Sequence, residues 1–274
     1  MPDILPEALA DLIDIGANLT HESFRHDFQQ VLDRARDAGI SQIVVTGSDA
    51  EDSGAAAALA RAYPGRLFST AGVHPHLARD WNPGVGEALK QIAAGPQVVA
   101  IGEAGLDFNR DYSPRPDQER AFEAQLQLAV ETGLPVFMHA RDAGERFTAI
   151  IRQHRDRLKD AVVHCFTGSR EELHACLDLD LHVGITGWIC DERRGRHLRD
   201  LVVDIPLERL MIETDAPYLL PRDIRPKPKT RRNEPRHLAH IARVIAECRS
   251  LPATQLAAAA TATARKFFKL PDPG

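Results

Sequence analysis

Acidic and histidine side chains stand at the ends of several apolar runs in this 274-residue sequence. Glu103 follows Val-Val-Ala-Ile-Gly, His139 follows Pro-Val-Phe-Met, His164 follows Ala-Val-Val, and Asp215 follows a run that ends at Ile212. A lone buried acid costs several kcal/mol unless it is paired or binds a cation. Carboxylates and imidazoles that converge on one point form a site for a hard or borderline divalent cation. Such a cation also lowers the pKa of a bound water, so the chemistry indicated is hydrolysis.

Each of these residues also has a structural interpretation. A histidine at a strand end is often a hydrogen-bonded core residue, Glu103 alone could pair with an arginine, and Asp215 before Ala-Pro could cap a turn. Four such residues at equivalent ends of four strands favour the metal site.

The apolar runs define the elements that must position these residues. They are continuous rather than alternating, which is typical of strands covered on both faces. Strands are predicted at 12–19, 42–48, 67–75, 98–107, 134–141, 161–168, 181–187 and 209–217. Helices are predicted at 23–38, 51–63, 117–132, 144–158, 170–179, 193–203, 235–249 and 253–268.

Eight strands alternating with helices predict an α/β fold, a (β/α)8 TIM barrel, whose chemistry lies at the carboxyl ends of the strands. An open doubly wound sheet is the alternative, although no Gly-x-Gly-x-x-Gly follows the first strand. No linker divides the chain. We therefore expect a single domain over residues 1–274, in which residues 1–10 form an N-terminal extension.

Composition limits the classes of function. The net charge of −5 means that the whole protein does not attract polyanions, so a nucleic-acid partner needs a local basic patch or a bound cation. The four cysteines show no Cys-x-x-Cys pairing and predict reduced thiols in a cytoplasmic protein. The N-terminus lacks a signal-peptide pattern, and no run is long enough for a membrane span.

Further polar residues are expected around the same site. His74 and His76 are candidates to donate hydrogen bonds to phosphate oxygens or to a leaving oxygen. Arg141 lies two residues after His139 and faces the same way in a strand. It is predicted either to hold a phosphate bidentately or to pair with Glu213 or Asp107.

The most basic stretch is RPKPKTRRNEPRH, residues 225–237. Because it follows the eighth strand, we expect it at the active-site face, where it would track a nucleic-acid backbone; a solvated surface loop is the alternative. Arg232 is a substrate-binding candidate in this loop. Trp188 is predicted either to stack a base or to pack in the core.

Six ordered motifs, AGVHPH, IGEAGLDF, FMHARDA, HCFTGS, GITGW and IETDAPYLLPR, resemble the TatD family of metal-dependent deoxyribonucleases. The resemblance extends from about Asp14 to Phe268, and DERRG and RRNEP resemble the subgroup after which the family is named. It implies a TIM barrel of the metallo-dependent hydrolase type that uses Mg²⁺, with Mn²⁺ or Zn²⁺ as alternatives. It also implies 3′→5′ exonuclease action on single strands of DNA and also of RNA, and a role in DNA repair.

Carried over to this sequence, the family's metal ligands are Glu103, His139, His164 and Asp215. The resemblance implies that Glu103 bridges when two metals bind and that Asp215 also serves as general base. Many relatives carry Asp-x-His-x-His on the first strand, whereas this chain has DIGAN, so that Gly16 and Asn18 replace the histidines. We expect one firm metal site on Glu103, His139 and His164, and a second site that is weak or fills only with substrate. Asn18 offers a weak neutral oxygen there and is predicted to bind substrate.

Two other functions remain open at this stage. One is a deacylase or amidohydrolase that acts on a small ester or amide, and the other is a nucleic-acid binder that does not catalyse. The oligomeric state is not predicted by these patterns, although a monomer is favoured.

Overall fold

The computed structural model of the protein describes residues 9–273. Eight parallel strands form one sheet in the order of the chain: β1 (Leu12–Ala17), β2 (Ile40–Val45), β3 (Leu67–Ala71), β4 (Val98–Asp107), β5 (Val136–Arg141), β6 (Ala161–Val163), β7 (His182–Ile185) and β8 (Leu210–Ile212). The predicted (β/α)8 barrel is confirmed. Most of the predicted N-terminal extension lies outside the described residues.

Nine α-helices surround the sheet in the described range: α1 (Phe28–Asp37), α2 (Ala50–Ala62), α3 (Pro83–Ala93), α4 (Arg115–Thr132), α5 (Gly144–His154), α6 (Arg170–Asp178), α7 (Arg196–Leu201), α8 (Leu238–Cys248) and α9 (Ala253–Phe268). Short 3₁₀ helices occupy several connections, among them Pro75–Asp80 after β3 and Gly187–Cys190 after β7. Among the described residues, no helix is both long and apolar enough to cross a membrane.

The core has two layers. The larger cluster packs the outer faces of the strands against the helices. The second cluster fills the barrel with inward-facing side chains such as Ile15, Val44 and Phe137, and the C-terminal end of α9 closes it with Phe267 and Phe268. Because α9 closes the amino-terminal end, the polar strand ends must gather at the opposite mouth.

β1 and β8 meet to close the barrel. Ala17 and Ala216 form a parallel bridge, and the backbone N–H of Asp215 donates to the carbonyl of Gly16. Buried Asp14 in β1 accepts hydrogen bonds from the backbone N–H of Thr214 and from its hydroxyl. A charged residue type in the middle of β1 is therefore explained by a polar contact between the first and last strands.

Seven of the eight strands are shorter than predicted, and the difference is largest for β6, which ends at Val163, and β8, which ends at Ile212. Cys165 and Asp215 have positive φ angles of 47° and 54°, which an extended strand does not allow. Consequently His164 and Asp215 lie in the turns that follow the strands rather than within them.

The helix α3 was not predicted. Asn82 caps it, because its side chain accepts from the N–H groups of Gly84 and Val85, and Pro83 occupies its first turn. Gly84 and Gly86 lower the helix propensity of this segment, and that concealed the helical pattern.

Candidate metal centre at the barrel mouth

Glu103 lies at the centre of the polar cluster at the carboxyl ends of the strands. Its Oε1 atom is 2.7 Å from Nε2 of His164, 3.1 Å from Nδ1 of His139 and 3.3 Å from Nε2 of His74. Glu103 and His139 lie in β4 and β5, whereas His164 and His74 lie in the turns after β6 and β3. The fold thus brings together the three residues for which a firm site is predicted, and His74 joins them.

The charges of this cluster depend on one another. Burial alone would raise the pKa of Glu103, but the imidazoles of His164 and His74 and hydrogen bonds from His139 and His164 hold it well below its ordinary value. Burial acts to lower the pKa of His164, yet Glu103 and Glu213 raise it well above its ordinary value. The carboxylate is therefore ionised and attracts positive charge.

In each histidine, one ring nitrogen faces Glu103 and is called here the near nitrogen, and the other is the far nitrogen. The partners of the far nitrogens distinguish the roles of the three histidines. Nδ1 of His164 lies 3.2 Å from Oε2 of Glu213, and Nε2 of His139 lies 3.3 Å from Oδ2 of Asp107. If a cation displaced the proton between the near nitrogen and Glu103, a carboxylate beside the far nitrogen would keep the remaining proton there and let the near nitrogen bind the metal. In His74, by contrast, Nδ1 accepts from the backbone N–H of His76. This hydrogen bond puts the proton of neutral His74 on Nε2, which suits a donor rather than a ligand.

A divalent cation fits these residues. Glu103 and His139 belong, together with the donor His74, to a group whose ligand-capable atoms lie within 4.8 Å of one another, and Nε2 of His164 lies 2.7 Å from Oε1 of Glu103. Nε2 of His139 is buried and has no hydrogen-bond partner among the described residues, despite its position near Asp107. A cation on the other nitrogen would strengthen the polarity of this N–H and its attraction to Asp107.

Asp215 and Asn18 form a pair at the same mouth. The amide Nδ2 of Asn18 donates to Oδ1 of Asp215 at 3.0 Å. Burial raises the pKa of Asp215 to about 7, with the negative charges of Glu103 and Glu213 adding to that effect and His164 opposing it. Asn18 therefore orients Asp215 here; its predicted contact with a second metal or with substrate stays a prediction.

Glu213 is the functional candidate whose role sequence reasoning missed. Its buried carboxylate accepts from the N–H of Cys165 at 2.5 Å through Oε1 and faces His164 through Oε2. A Cβ atom added at Gly16 would lie 2.5 Å from Oε2, and one added at Gly184 would lie 2.5 Å from Oε1. The absent side chain of Gly16 thus makes room for the carboxylate that holds His164.

His76 and Asp107 form a second layer beside the centre. Nε2 of His76 lies 2.7 Å from Oδ2 of Asp107. The backbone N–H groups of Asn109 and Arg110 donate to the other oxygen of Asp107. Burial opposes ionisation, but the nearby imidazoles of His139 and His76 lower the pKa of Asp107, so this acid stays charged. The predicted contacts of His74 and His76 with substrate stay predictions.

Arg141 has the freedom that a phosphate-binding residue needs. Within residues 9–273 its side chain forms no ion pair, so the predicted alternative of pairing with Glu213 or Asp107 is wrong. Its guanidinium carbon lies 5.9 Å from the ring centre of Trp188, and that of Arg194 lies 5.5 Å from the same ring. The contact with Trp188 places the guanidinium of Arg141 between the polar cluster around Glu103 and this ring.

A basic groove of about 890 Å³ lies beyond Trp188, between the loops that follow β7 and β8. Its lining includes seven basic residues and only two acidic ones, Asp191 and Glu192. The basic residues are Arg193, Arg194, Arg222, Arg225, Lys227, Lys229 and Arg231. Much of the predicted basic loop therefore lines a groove beside the barrel mouth.

Arg232 behaves differently from its neighbours in the loop. Its guanidinium donates to both oxygens of Asp27, to Glu234 and to the carbonyl of Ser23. Nearby hydrogen bonds outweigh partial burial and raise the pKa of Arg232. These contacts within the protein give Arg232 a structural role, and its predicted contact with substrate stays a prediction.

A parallel barrel with carboxylates and imidazoles converging at its mouth defines the metallo-dependent hydrolase class. The comparison with known families is more specific. The chain belongs to the family of TatD-related DNases, whose model matches residues 13–269.

Individual relatives are similar over almost the whole chain. A 3′-5′ ssDNA/RNA exonuclease TatD from Pectobacterium carotovorum subsp. carotovorum (strain PC1) is 55% identical over 259 residues, which is 94% of this chain and all of that one. The crystal structure of a TatD homolog from Escherichia coli K12 is 30% identical with a TM-score of 0.85, over 95% of this chain and 98% of that one. A TatD family hydrolase from Entamoeba histolytica is 26% identical with a TM-score of 0.85, over 96% of this chain and 100% of that one.

Proposed function

We propose that this protein is a metal-dependent 3′→5′ exonuclease that hydrolyses phosphodiester bonds of single-stranded DNA and RNA. The observation that carries the proposal is the convergence of His139 and His164 on Glu103, each with a carboxylate beside its far nitrogen. A relative 55% identical over 259 residues carries the name of that activity.

The proposed ligands are Glu103, His139 and His164, with Asp215 beside them. We propose Mg²⁺ as the ion; two imidazole nitrogens in the set also suit Mn²⁺ and Zn²⁺. When bound, the cation polarises the phosphate and makes its water acidic. Glu213 and Asp107 hold the two histidines in place.

The remaining polar groups act on the substrate and on protons. Asp215, oriented by Asn18, accepts the proton of the attacking water through its carboxylate. His74 donates from Nε2 to a phosphate oxygen or to the leaving 3′ oxygen, in keeping with the proton position that His76 imposes. Arg141, which has no competing carboxylate in the described chain, donates to the phosphate.

The basic groove extends this site for a single strand. Trp188 stands between Arg141 at the centre and the groove, so a base stacked on its ring would place the next phosphates against the basic lining. Trp188 is the aromatic residue in the described lining of the groove, and a single stacking ring fits a grip on the end of one strand. We also infer that residues 1–274 act as one domain, because all eight strands form one sheet. The repair role, the cytoplasmic location and the monomeric state stay predictions.

The test is digestion of single-stranded oligonucleotides labelled at the 5′ end, with Mg²⁺, with Mn²⁺ and with chelator. We expect a ladder that shortens from the 3′ end, requires the metal, and stops when the 3′-terminal linkage carries a phosphorothioate. Glu103→Gln should abolish cleavage while the protein stays folded. The matched control is Glu87→Gln, which removes an exposed carboxylate on α3.

Two results would contradict the proposal. Binding of intact DNA without any cleavage indicates the non-catalytic binder. Hydrolysis of small esters or amides, combined with inert DNA and RNA, indicates the deacylase or amidohydrolase.

A further inference from the structure

A second cluster of metal-ligating side chains lies outside the barrel mouth. Cys190 ends the 3₁₀ helix after β7, Asp223 lies in the loop after β8, and His240 lies in the first turn of α8. One ligand-capable atom from each lies within 4.8 Å of the other two. None of the three belongs to the centre around Glu103.

The three residues differ in their access to solvent. Cys190 is fully buried, whereas the side chains of Asp223 and His240 are 31% and 32% exposed. The thiol thus forms the floor of a site whose rim is the carboxylate and the imidazole. Burial raises the pKa of the Cys190 thiol well above its ordinary value, so the thiol by itself is not a nucleophile.

Both carboxylate oxygens of Asp223 have partners in the present arrangement, so a cation would take Oδ1 in place of the imidazole of His240. Oδ1 of Asp223 lies 2.6 Å from Nε2 of His240. The other oxygen, Oδ2, accepts from the guanidinium of Arg199 at 3.2 Å, and Arg199 also donates to the carbonyl of Ile189. Cys248 is close enough to act on the pKa of Cys190 but does not belong to the group of ligand atoms.

We propose that Cys190, Asp223 and His240 form a second metal site, for a borderline-soft divalent cation such as Zn²⁺. One sulfur, one nitrogen and one oxygen ligand, with water in a fourth position, is a set that zinc accepts and that Mg²⁺ does not favour. Binding replaces the proton of the Cys190 thiol, which leaves to solvent, and separates His240 from its present hydrogen bond with Asp223.

The position of this site gives it a role. Cys190 directly precedes Asp191–Arg194, which form one wall of the basic groove, and Asp223 lies within the segment 219–231 that forms the other wall. A cation that joins Cys190 to Asp223 links the two walls across their bases. We expect it to stabilise the groove rather than to take part in hydrolysis.

The experiment uses Co²⁺ as a spectroscopic probe on the full chain, freed of metal beforehand. Thiolate bound to cobalt gives a charge-transfer absorption in the near ultraviolet, which oxygen and nitrogen ligands do not give. We expect this band in the wild type, its loss in Cys190→Ser, its displacement by Zn²⁺, and proton release on metal addition that also depends on Cys190.

The controls separate this site from other thiols. Cys165 lies beside Glu213 at the barrel mouth, and Cys176 is buried on α6, so Cys165→Ser and Cys176→Ser should both keep the band. His240→Ala alters a side chain on the rim, and it should weaken cobalt binding at least tenfold even if Cys190→Ser fails to fold. The proposal would be overturned if the wild type lacked the band, if Cys190→Ser kept it, or if Cys165→Ser alone lost it. Unchanged cobalt binding in His240→Ala would also overturn it.

Discussion

The carboxylate of Glu213 shows how one side chain outside the immediate cluster controls the centre. It accepts from the backbone of Cys165 and faces Nδ1 of His164. It therefore sets both the position of this imidazole and the nitrogen that carries the proton.

Glu213→Gln should lower metal affinity and kcat/KM by roughly 10–100-fold, the range seen when a carboxylate behind a metal-binding histidine is removed. The fold should persist, because glutamine keeps the acceptor for the N–H of Cys165. The measurement is Mn²⁺ titration together with exonuclease rates, and Glu208→Gln, an exposed acid just before β8, is the control. Unchanged affinity in Glu213→Gln would show that Glu213 only fills space.

At the level of elements, the junction of β1 and β8 depends on the protonation of Asp14. Burial raises the pKa of Asp14 to about 8, the charge of Glu213 adds to this, and hydrogen bonds from Thr214 and Gly16 oppose it. The folded protein therefore favours the neutral acid, in which Oδ2 accepts from the hydroxyl of Thr214 and Oδ1 accepts from the backbone N–H groups of Gly16 and Thr214.

Asp14→Asn should make stability less sensitive to pH. Because the pKa of Asp14 is higher in the folded state than its ordinary 3.8, its contribution is full below about pH 3.8 and is lost progressively as the pH rises to about 8. The slope for one such group is up to about 1.4 kcal/mol per pH unit. Asparagine keeps the Oδ1 acceptor for the two backbone N–H groups and does not titrate.

Urea denaturation of both proteins at several pH values between 5 and 8 measures this difference. The wild type should lose stability relative to Asp14→Asn with each step upward in pH. A difference that is constant across this range would mean that Asp14 is ionised in the fold.

The sequence allowed prediction of the elements better than of the contacts between them. Apolar runs located all eight strands, and strand-end logic located Glu103, His139 and His164. Local patterns did not reveal α3, whose glycines weaken the helical signal. The partners of Arg232 and Glu213 also stayed hidden, because Asp27 and Gly16 lie about 200 residues away in the chain and meet them only through the closure of the barrel.

At the scale of the whole molecule, positive charge is concentrated in the groove at the carboxyl ends of the strands, although the protein as a whole is negative. The net charge is −5, yet the groove at the carboxyl ends carries seven basic residues against two acids. Local charge at the mouth, rather than the total charge, must therefore attract a polyanion.

Replacing Lys227, Lys229 and Arg231 together with alanine should weaken binding of single-stranded DNA and flatten its salt dependence. Each phosphate contact on a single strand contributes about −0.7 to the slope of log K against log salt, so the slope should fall by about 2. Filter binding between low and moderate salt, with catalysis blocked by Glu103→Gln, measures it.

The matched control is the triple alanine variant of Lys159, Lys266 and Lys269. These three residues are exposed near the start of β6 and the end of α9, at the other end of the barrel, and their loss changes the net charge by the same amount. If both triple variants flatten the slope equally, the groove has no special part in binding.

The shared space of Gly16 and Glu213 has a consequence for redesign. A side chain at position 16 and the carboxylate at position 213 exclude each other, since an added Cβ lies 2.5 Å from Oε2 and 3.1 Å from the ring of Phe137. Installing a first-strand histidine to hold another ion therefore demands a reciprocal exchange, in which Gly16→His is accompanied by Glu213→Ala. Such a swap would give up the anchor of His164 for the new ligand, so the two arrangements are alternative solutions that cannot be added together.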